Sequence, residues 1–183
     1  MTLFRDKYRI ETTRKRDWNY AAASWYFVTI CTENKRCYFG FIKDAALKPS
    51  FLGQYAEACW REIPSHHENV TIDDFVVMPN HIHGIIVIDG PEWMPPLRRK
   101  GEHRPPQRLS AVFPKGSSLG AIVRSYKSAV TTWAHEQRLK FAWQPRFHDR
   151  IIRGKNSLEN IRQYIQDNPI NWEKETEFVR ESF

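Results

Sequence analysis

Residues 71–88 read TIDDFVVMPNHIHGIIVI, and no other stretch narrows the possible folds as much. β-Branched and aromatic residues fill both halves, and Pro79-Asn80 divides them. Proline has no N–H for a strand ladder and asparagine favours turns, so the run predicts a β-hairpin. Side chains two apart on a strand share a face, roughly 6–7 Å apart along the backbone. His81 and His83 therefore project together, while Ile82 points the opposite way and anchors the pair by its own burial. Both imidazoles can reach one divalent metal. Two partly buried structural histidines would give the same string.

The remaining patterns supply elements to pack around that hairpin. Residues 24–32, SWYFVTICT, alternate Tyr26, Val28 and Ile30 against Phe27, Thr29 and Cys31, the period of a strand. Leu52, Tyr55, Ala56, Cys59 and Ile63 fall at helical spacing until Pro64 stops the pattern. A long helix is predicted after Ser117 or Ser118, with Leu119, Ile122, Val123, Tyr126, Val130 and Trp133 along one face and Arg124 and Lys127 on the other. A strand should end near Ile152. Asn156, with Glu159 three residues on, has the spacing of a capping box and opens a last helix that Pro169 should limit near Asn168. The order strand, helix, strand, strand, helix, strand, helix predicts an α+β, ferredoxin-like antiparallel sheet with helices packed on it. A length of 183 residues suits one domain, 1–183. That domain is expected to carry a basic N-terminal arm, 1–23, and a Pro/Arg-rich insertion or loop, 90–116, with six prolines and little periodicity.

Charge bears on the partner. Lys plus Arg outnumber Asp plus Glu by 28 to 21, a formal +7, which suits a protein that meets a polyanion. The positives cluster at Arg14-Lys15-Arg16 and at Arg98-Arg99-Lys100, with Arg104 and Arg108 close behind. Nucleic acid is the expected partner. Arg14, Lys15 and Arg16 are candidates to neutralise phosphates, with Lys127 and Arg150 as further ones, and Trp18 and Tyr20 are candidates to stack on exposed bases. A solvated charge run is the alternative. Cys31, Cys37 and Cys59 form no CxxC pair, so neither a disulfide framework nor a zinc knuckle is predicted, and they read as small buried or inert residues in a reducing compartment. No apolar run approaches the roughly 18 residues of a membrane span, and the N-terminus lacks a signal-peptide stretch. A cytoplasmic protein with no membrane partner is expected.

Two histidines do not complete a metal site, because a Lewis-acid metal needs a third protein ligand and open positions for substrate. In the last predicted helix Tyr164 and Asn168 lie four apart, one turn along a single face. They offer a phenol and an amide oxygen. A phenol attacking phosphorus makes a phosphotyrosine that retains the energy of the broken phosphodiester and frees a 3′-hydroxyl for rejoining. Core packing beside Ile161 and Ile165 is the other reading of Tyr164. Tyr126 is the rival nucleophile, but it continues the apolar stripe of its helix and has Val130 four residues on, not an amide.

Taken together, VVMPNHIHGIIVI, SYKSAVTTW, WQPRFHDRIIR and YIQDNP, preceded by YRIETTRKRDWNY, resemble the single-tyrosine HUH transposases, and most of all the REP-associated tyrosine transposases. The match runs in order from about Tyr8 to Trp172, and its joint occurrence makes it specific where any one motif would be weak. The resemblance implies that His81 and His83 bind Mg²⁺ or Mn²⁺, that Asn168 is a third ligand, and that Tyr164 is the nucleophile. It further implies nicking and rejoining of single-stranded DNA beside imperfect hairpins, by a monomer or a homodimer. At His148, in FHDR, relatives often carry tyrosine, so no role is assigned there. Two other classes compete. One is a non-catalytic module whose sheet presents aromatics to single-stranded nucleic acid. The other is a metal-dependent hydrolase, for which acidic ligands would be expected beside the histidines, whereas GIIVI offers none before Asp89.

Overall fold

The computed structural model describes residues 18–89 and 118–181, together with Leu3–Phe4 and Tyr8–Arg9, and describes side chains within 18–89 and 118–172. In chain order its elements are β1 (Leu3–Phe4), β2 (Tyr8–Arg9), β3 (Ser24–Cys31), β4 (Gly40–Lys43), β5 (Ala46–Pro49), α1 (Phe51–Arg61), α2 (Ile63–His66), β6 (Val70–Met78), β7 (His81–Ile88), α3 (Leu119–Glu136), β8 (His148–Ile152) and α4 (Lys155–Glu181). Arg14, Lys15 and Arg16 and the whole Pro/Arg-rich segment 90–116 lie outside the described residues.

The hairpin expected from the sequence is β6 and β7, turning at Pro79-Asn80. It joins β3 and β8 in a four-stranded sheet of order β6-β7-β3-β8, in which every neighbouring pair is antiparallel. The crossovers β3-α1-β6 and β7-α3-β8 each skip one strand, which is the ferredoxin-like connection. β7 lies inside the sheet, and all its residues after His81 are buried. A near-continuous apolar strand of that kind needs cover on both faces, and both are covered.

On one face Tyr26, Val28, Ile30, Ile82 and Ile86 pack with Leu52, Ala56 and Trp60 of α1 and with Leu119, Ile122, Tyr126 and Val130 of α3. The helices begin where serine caps them: Ser50 Oγ accepts from the Gly53 N–H at 3.0 Å and Ser118 Oγ from the Ala121 N–H at 3.3 Å. The Trp60 indole lies so close over Gly84 that a Cβ there would sit 2.3 Å from its Cζ2. On the other face Trp25, Ile85, Val87 and Ile152 pack with Leu158, Ile161 and Ile165 of α4.

Several expectations need correction. Asn156 does not cap the last helix: α4 begins at Lys155, its first carbonyl bond runs from the Leu158 N–H to Gly154, and Glu159 turns to Arg162 instead. Pro169 does not end it either. Proline removes one N–H and crowds the preceding turn, yet α4 continues through it to Glu181. Pro64 stops α1 but sits in the first turn of α2, where its missing N–H is harmless. The β4–β5 hairpin is absent from the sequence reading because its turn places Asp44 and Ala45, at φ 53° and 55°, where Asn-Gly would ordinarily signal it. Among the three free cysteines Cys37 is exposed, not buried.

Candidate active site

The inward stripe of α4 runs Leu158, Ile161, Ile165, Asn168, Trp172, at the three- and four-residue steps of a helix face, with all but the half-buried Trp172 buried. Its first three members are apolar and meet the apolar half of the sheet. At Asn168, itself only 8% exposed, the stripe turns polar. Opposite that turn β7 presents His81 and His83, and β3 presents Cys31 and Thr29 as their register partners. Helix and sheet thus change from apolar to polar at the same level, leaving a cleft of about 440 Å³ lined by Thr29, Cys31, Lys35, Asn80, His81, His83, Tyr164, Asn168, Asn171 and Trp172.

As expected, Ile82 is fully buried on the α1/α3 face while both histidines face α4. Their rings stand 4.4 Å apart between centroids. Asn80 Nδ2 donates to the Lys35 carbonyl at 3.1 Å, which turns its Oδ1 toward His81 Nδ1 at 2.7 Å. An amide oxygen only accepts, so Nδ1 of His81 carries the proton and Nε2 keeps its lone pair. His81 has Asn168 as a further side-chain partner. His83 Nδ1 lies 2.8 Å from Thr29 Oγ1 and its Nε2 lies 3.3 Å from the Tyr164 hydroxyl. Both hydroxyls can donate or accept, so a neutral ring satisfies both contacts in either tautomer; the one with Nδ1–H donating to Thr29 leaves Nε2 to accept from Tyr164. Burial holds both rings in the neutral form: it pushes His81 down to about 4, against the Asn168 contact that favours the charged form, and His83, with His81 beside it, down to about 3.

Tyr164 is 47% exposed while Ile161 and Ile165 on the same helix are buried, so its ring is not core packing. It stands edge-on to Phe27 and His83. A second groove, about 620 Å³, opens on its other side, lined by Phe27, His148, Arg150, Ser157 and Asn160 among others. The phenol therefore borders two clefts. Tyr126 is its opposite: buried, with its hydroxyl donating to the Ala56 carbonyl at 3.1 Å and its pKa driven well up by burial.

An uncharacterised protein of Haemophilus influenzae is 41% identical over 171 residues, spanning 91% of this chain and 91% of that one. The two belong to one family. No protein-family model matches the chain. The solved structure of the REP-associated tyrosine transposase bound to a REP hairpin aligns at 19% identity and a TM-score of 0.54, over 88% of this chain and 74% of that one. The chain has the fold of a REP-associated tyrosine transposase.

Within this transposase fold the other candidate residues fall in different places. Arg150, exposed on β8 opposite Phe27, lines the groove beside Tyr164. His148 lines the same groove as the register partner of Thr29. Trp18 is half-buried, with its indole N–H donated to the Tyr26 hydroxyl at 3.1 Å and Arg153 over its ring. Lys127, on α3, gives its ammonium to the carbonyls of Gln144 and Arg146 at 2.8 and 3.1 Å and borders a separate groove with Arg124 and Arg146. Among the described residues no helix is long and apolar enough to cross a membrane.

Thr29, Lys35, Asn80 and Trp172 were not singled out by the sequence reading. Asn80 had a signal, since it abuts the His-x-His pair, but it reads first as a turn residue. Thr29 becomes visible only once β3 and β7 are known to be neighbours.

Proposed function

We propose that this chain is a divalent-metal-dependent single-strand DNA endonuclease and strand transferase, acting beside DNA hairpins through a covalent 5′-phosphotyrosine on Tyr164. The observation that carries the reading is a half-exposed phenol 3.3 Å from a neutral imidazole, in a cleft that also gathers a second neutral imidazole and an amide. Residues 1–183 act as one cytoplasmic domain, as a monomer or a homodimer, with the basic segments as DNA-binding arms.

The donor set fits a divalent ion. Each histidine has Nδ1 engaged by a protein group, Asn80 or Thr29, which is how metal-ligating imidazoles are oriented by outer partners. Among the described residues no group of three or more His, Cys, Asp or Glu is arranged to hold a metal; in this reading the third donor is the Asn168 amide, a side-chain partner of His81. The amide oxygen suits Mg²⁺ or Mn²⁺, and the two imidazoles favour the softer Mn²⁺ of that pair. When bound, such an ion supplies charge stabilisation to a phosphate oxygen.

The protein's own residues do the remainder. Tyr164 Oη attacks phosphorus, a Tyr–O–P bond forms, the P–O3′ bond breaks, and a 3′-hydroxyl is released; attack by a 3′-hydroxyl on the phosphotyrosine reverses the sequence. Arg150, beside Tyr164, holds a flanking phosphate, and Arg14, Lys15, Arg16, Trp18 and Lys127 complete the proposed DNA-contacting set. The competing view, a non-catalytic sheet presenting aromatics to nucleic acid, has little open face to use, since α1 and α3 cover one face of the sheet and α4 part of the other.

Incubation with labelled hairpin DNA and Mn²⁺, followed by a denaturing gel, tests the proposal. Tyr164→Phe should remove the protein-linked product and Tyr126→Phe should retain it. His81→Ala and His83→Ala should abolish cleavage with the fold and DNA binding kept, and Asn168→Ala should be milder, because water replaces a lost ligand more readily than a lost nucleophile. A nucleotide found by mass spectrometry on a peptide containing Tyr126 would overturn the assignment.

A further inference from the structure

Lys35 is the one formally charged side chain among the described residues that line the histidine cleft. Its position is tightly set. Asn34 and Lys35 both adopt left-handed backbone, at φ 52° and 53°, a conformation costing a non-glycine residue about 1–2 kcal/mol. Such a turn persists only when its surroundings over-determine it, and turns of this kind gather at functional sites. Here the ties lead to the metal-ligand strand: the Lys35 N–H donates to the Thr32 carbonyl at 3.2 Å, Asn80 Nδ2 donates to the Lys35 carbonyl, and Thr32 donates through both N–H and Oγ1 to the Asn80 carbonyl at 2.9 Å. The Asn80 side chain that holds Lys35 also holds His81.

Contacts along the cleft run from Tyr164 to His83, from His83 to His81, from His81 to Asn80, and from Asn80 to the Lys35 turn. Tyr164 and Lys35 therefore occupy opposite ends of the histidine pair. Phosphoryl transfer places attacking and leaving oxygens roughly in line across phosphorus. With Tyr164 attacking at the His83 end, the bond that breaks points to the Lys35 end.

We infer that Lys35 serves the leaving group, donating a proton from its ammonium to the departing 3′-oxygen. This rests on the reading of Tyr164 as nucleophile. The Tyr–O–P bond forms as the P–O3′ bond breaks, the phenol proton passes to water, and the 3′-oxygen takes the Nζ proton to become the 3′-hydroxyl, leaving Lys35 as the neutral amine. On rejoining, that amine takes the proton back as the 3′-hydroxyl attacks, and the departing Tyr164 oxygen regains a proton from water. Lys35 lines the cleft together with Cys31 and His81.

The test uses the full chain with Mn²⁺ and two hairpin DNAs, one with an ordinary phosphodiester at the scissile position and one with a 3′-bridging sulfur, whose thiolate leaves without needing a proton. Lys35→Ala should slow adduct formation on the ordinary DNA by about a hundredfold or more, yet react with the sulfur DNA nearly as fast as the unsubstituted protein. Binding of uncut hairpin and thermal stability should be unchanged. Lys35→Arg should stay slow on the ordinary DNA, because a guanidinium keeps charge but does not give up its proton. An equal slowing on both DNAs, or full activity of Lys35→Arg, would overturn the leaving-group role while Tyr164 stands. If the unsubstituted protein forms no adduct with either DNA, the Tyr164 assignment itself fails and Lys35 with it.

Discussion

His83 illustrates how one residue can be costly to fold and useful once folded. It is 6% exposed, and burial pushes its pKa from 6.5 to about 3, with His81 moved the same way to about 4. The unfolded chain protonates both near pH 6.5, so between that value and the folded pKa values the unfolded state binds more protons. Stability contributed by these neutral imidazoles is therefore complete above about pH 6.5 and is lost as pH falls toward 4 and then 3. At pH 5 the loss from His83 alone should be about 2 kcal/mol. Melting curves of chelator-treated protein from pH 8 to 4 should show this decline, and His83→Asn should flatten it. A slope unchanged by the substitution would assign the acid sensitivity to other groups. The same neutrality suits a metal ligand, which must offer a lone pair and not a proton.

At the scale of elements, what matters is where α4 lies along the sheet, because a shift of one turn would carry Tyr164 and Asn168 past the histidines. An apolar stripe alone tolerates such slippage. Arg162, 2% exposed, makes a bidentate pair with Asp73, Nε to Oδ1 at 2.7 Å and Nη2 to Oδ2 at 2.6 Å, and adds Glu159 at 3.0 Å. One turn on, Gln166 Nε2 donates to Asp74 Oδ2 at 2.7 Å. Both acids sit at the irregularity between Ile72 and Phe75 in β6, so the bulge aims them at the helix. Asp73→Ala strands a buried guanidinium and should cost about 3–5 kcal/mol, whereas Gln166→Ala removes an exposed contact and should cost less than about 1.5 kcal/mol. Chemical denaturation of the two variants checks this. Equal losses would show that apolar packing, not the ion pair, sets the register.

For the whole molecule, the governing quantity is net charge. With +7 overall and positives concentrated near residues 14–16 and 98–108, DNA binding should be salt-sensitive and stronger for hairpins with single-stranded flanks than for blunt duplex, because stacking needs open bases. Replacing Arg14, Lys15 and Arg16 together by alanine should reduce the magnitude of the log–log salt slope by about 2. Fluorescence anisotropy across a salt series measures both effects. An unchanged slope would remove the N-terminal cluster from the interface.

The hairpin, its paired histidines, the capped α3 and the antiparallel ferredoxin-like sheet were all legible in the sequence, because strand alternation, helical spacing and caps are local signals. Ile82 buried behind the histidines follows from the same two-residue period. The site as a cleft was not legible in that way. That Thr29 faces His83, that Asn80 reaches the Lys35 turn, and that Arg162 reaches Asp73 depend on pairings 54, 45 and 89 residues apart along the chain, which no periodicity records. Nor does the local rule against proline in a helix foresee the passage of α4 through Pro169, because it counts one missing N–H and not the whole helix that continues around it. Local chemistry chose the residue types and the elements. The apolar stripe of α3 already put Tyr126 in the core; only the tertiary structure decided that Tyr164, between the buried Ile161 and Ile165, stands half-exposed beside two neutral imidazoles, because that depends on where α4 crosses the assembled sheet.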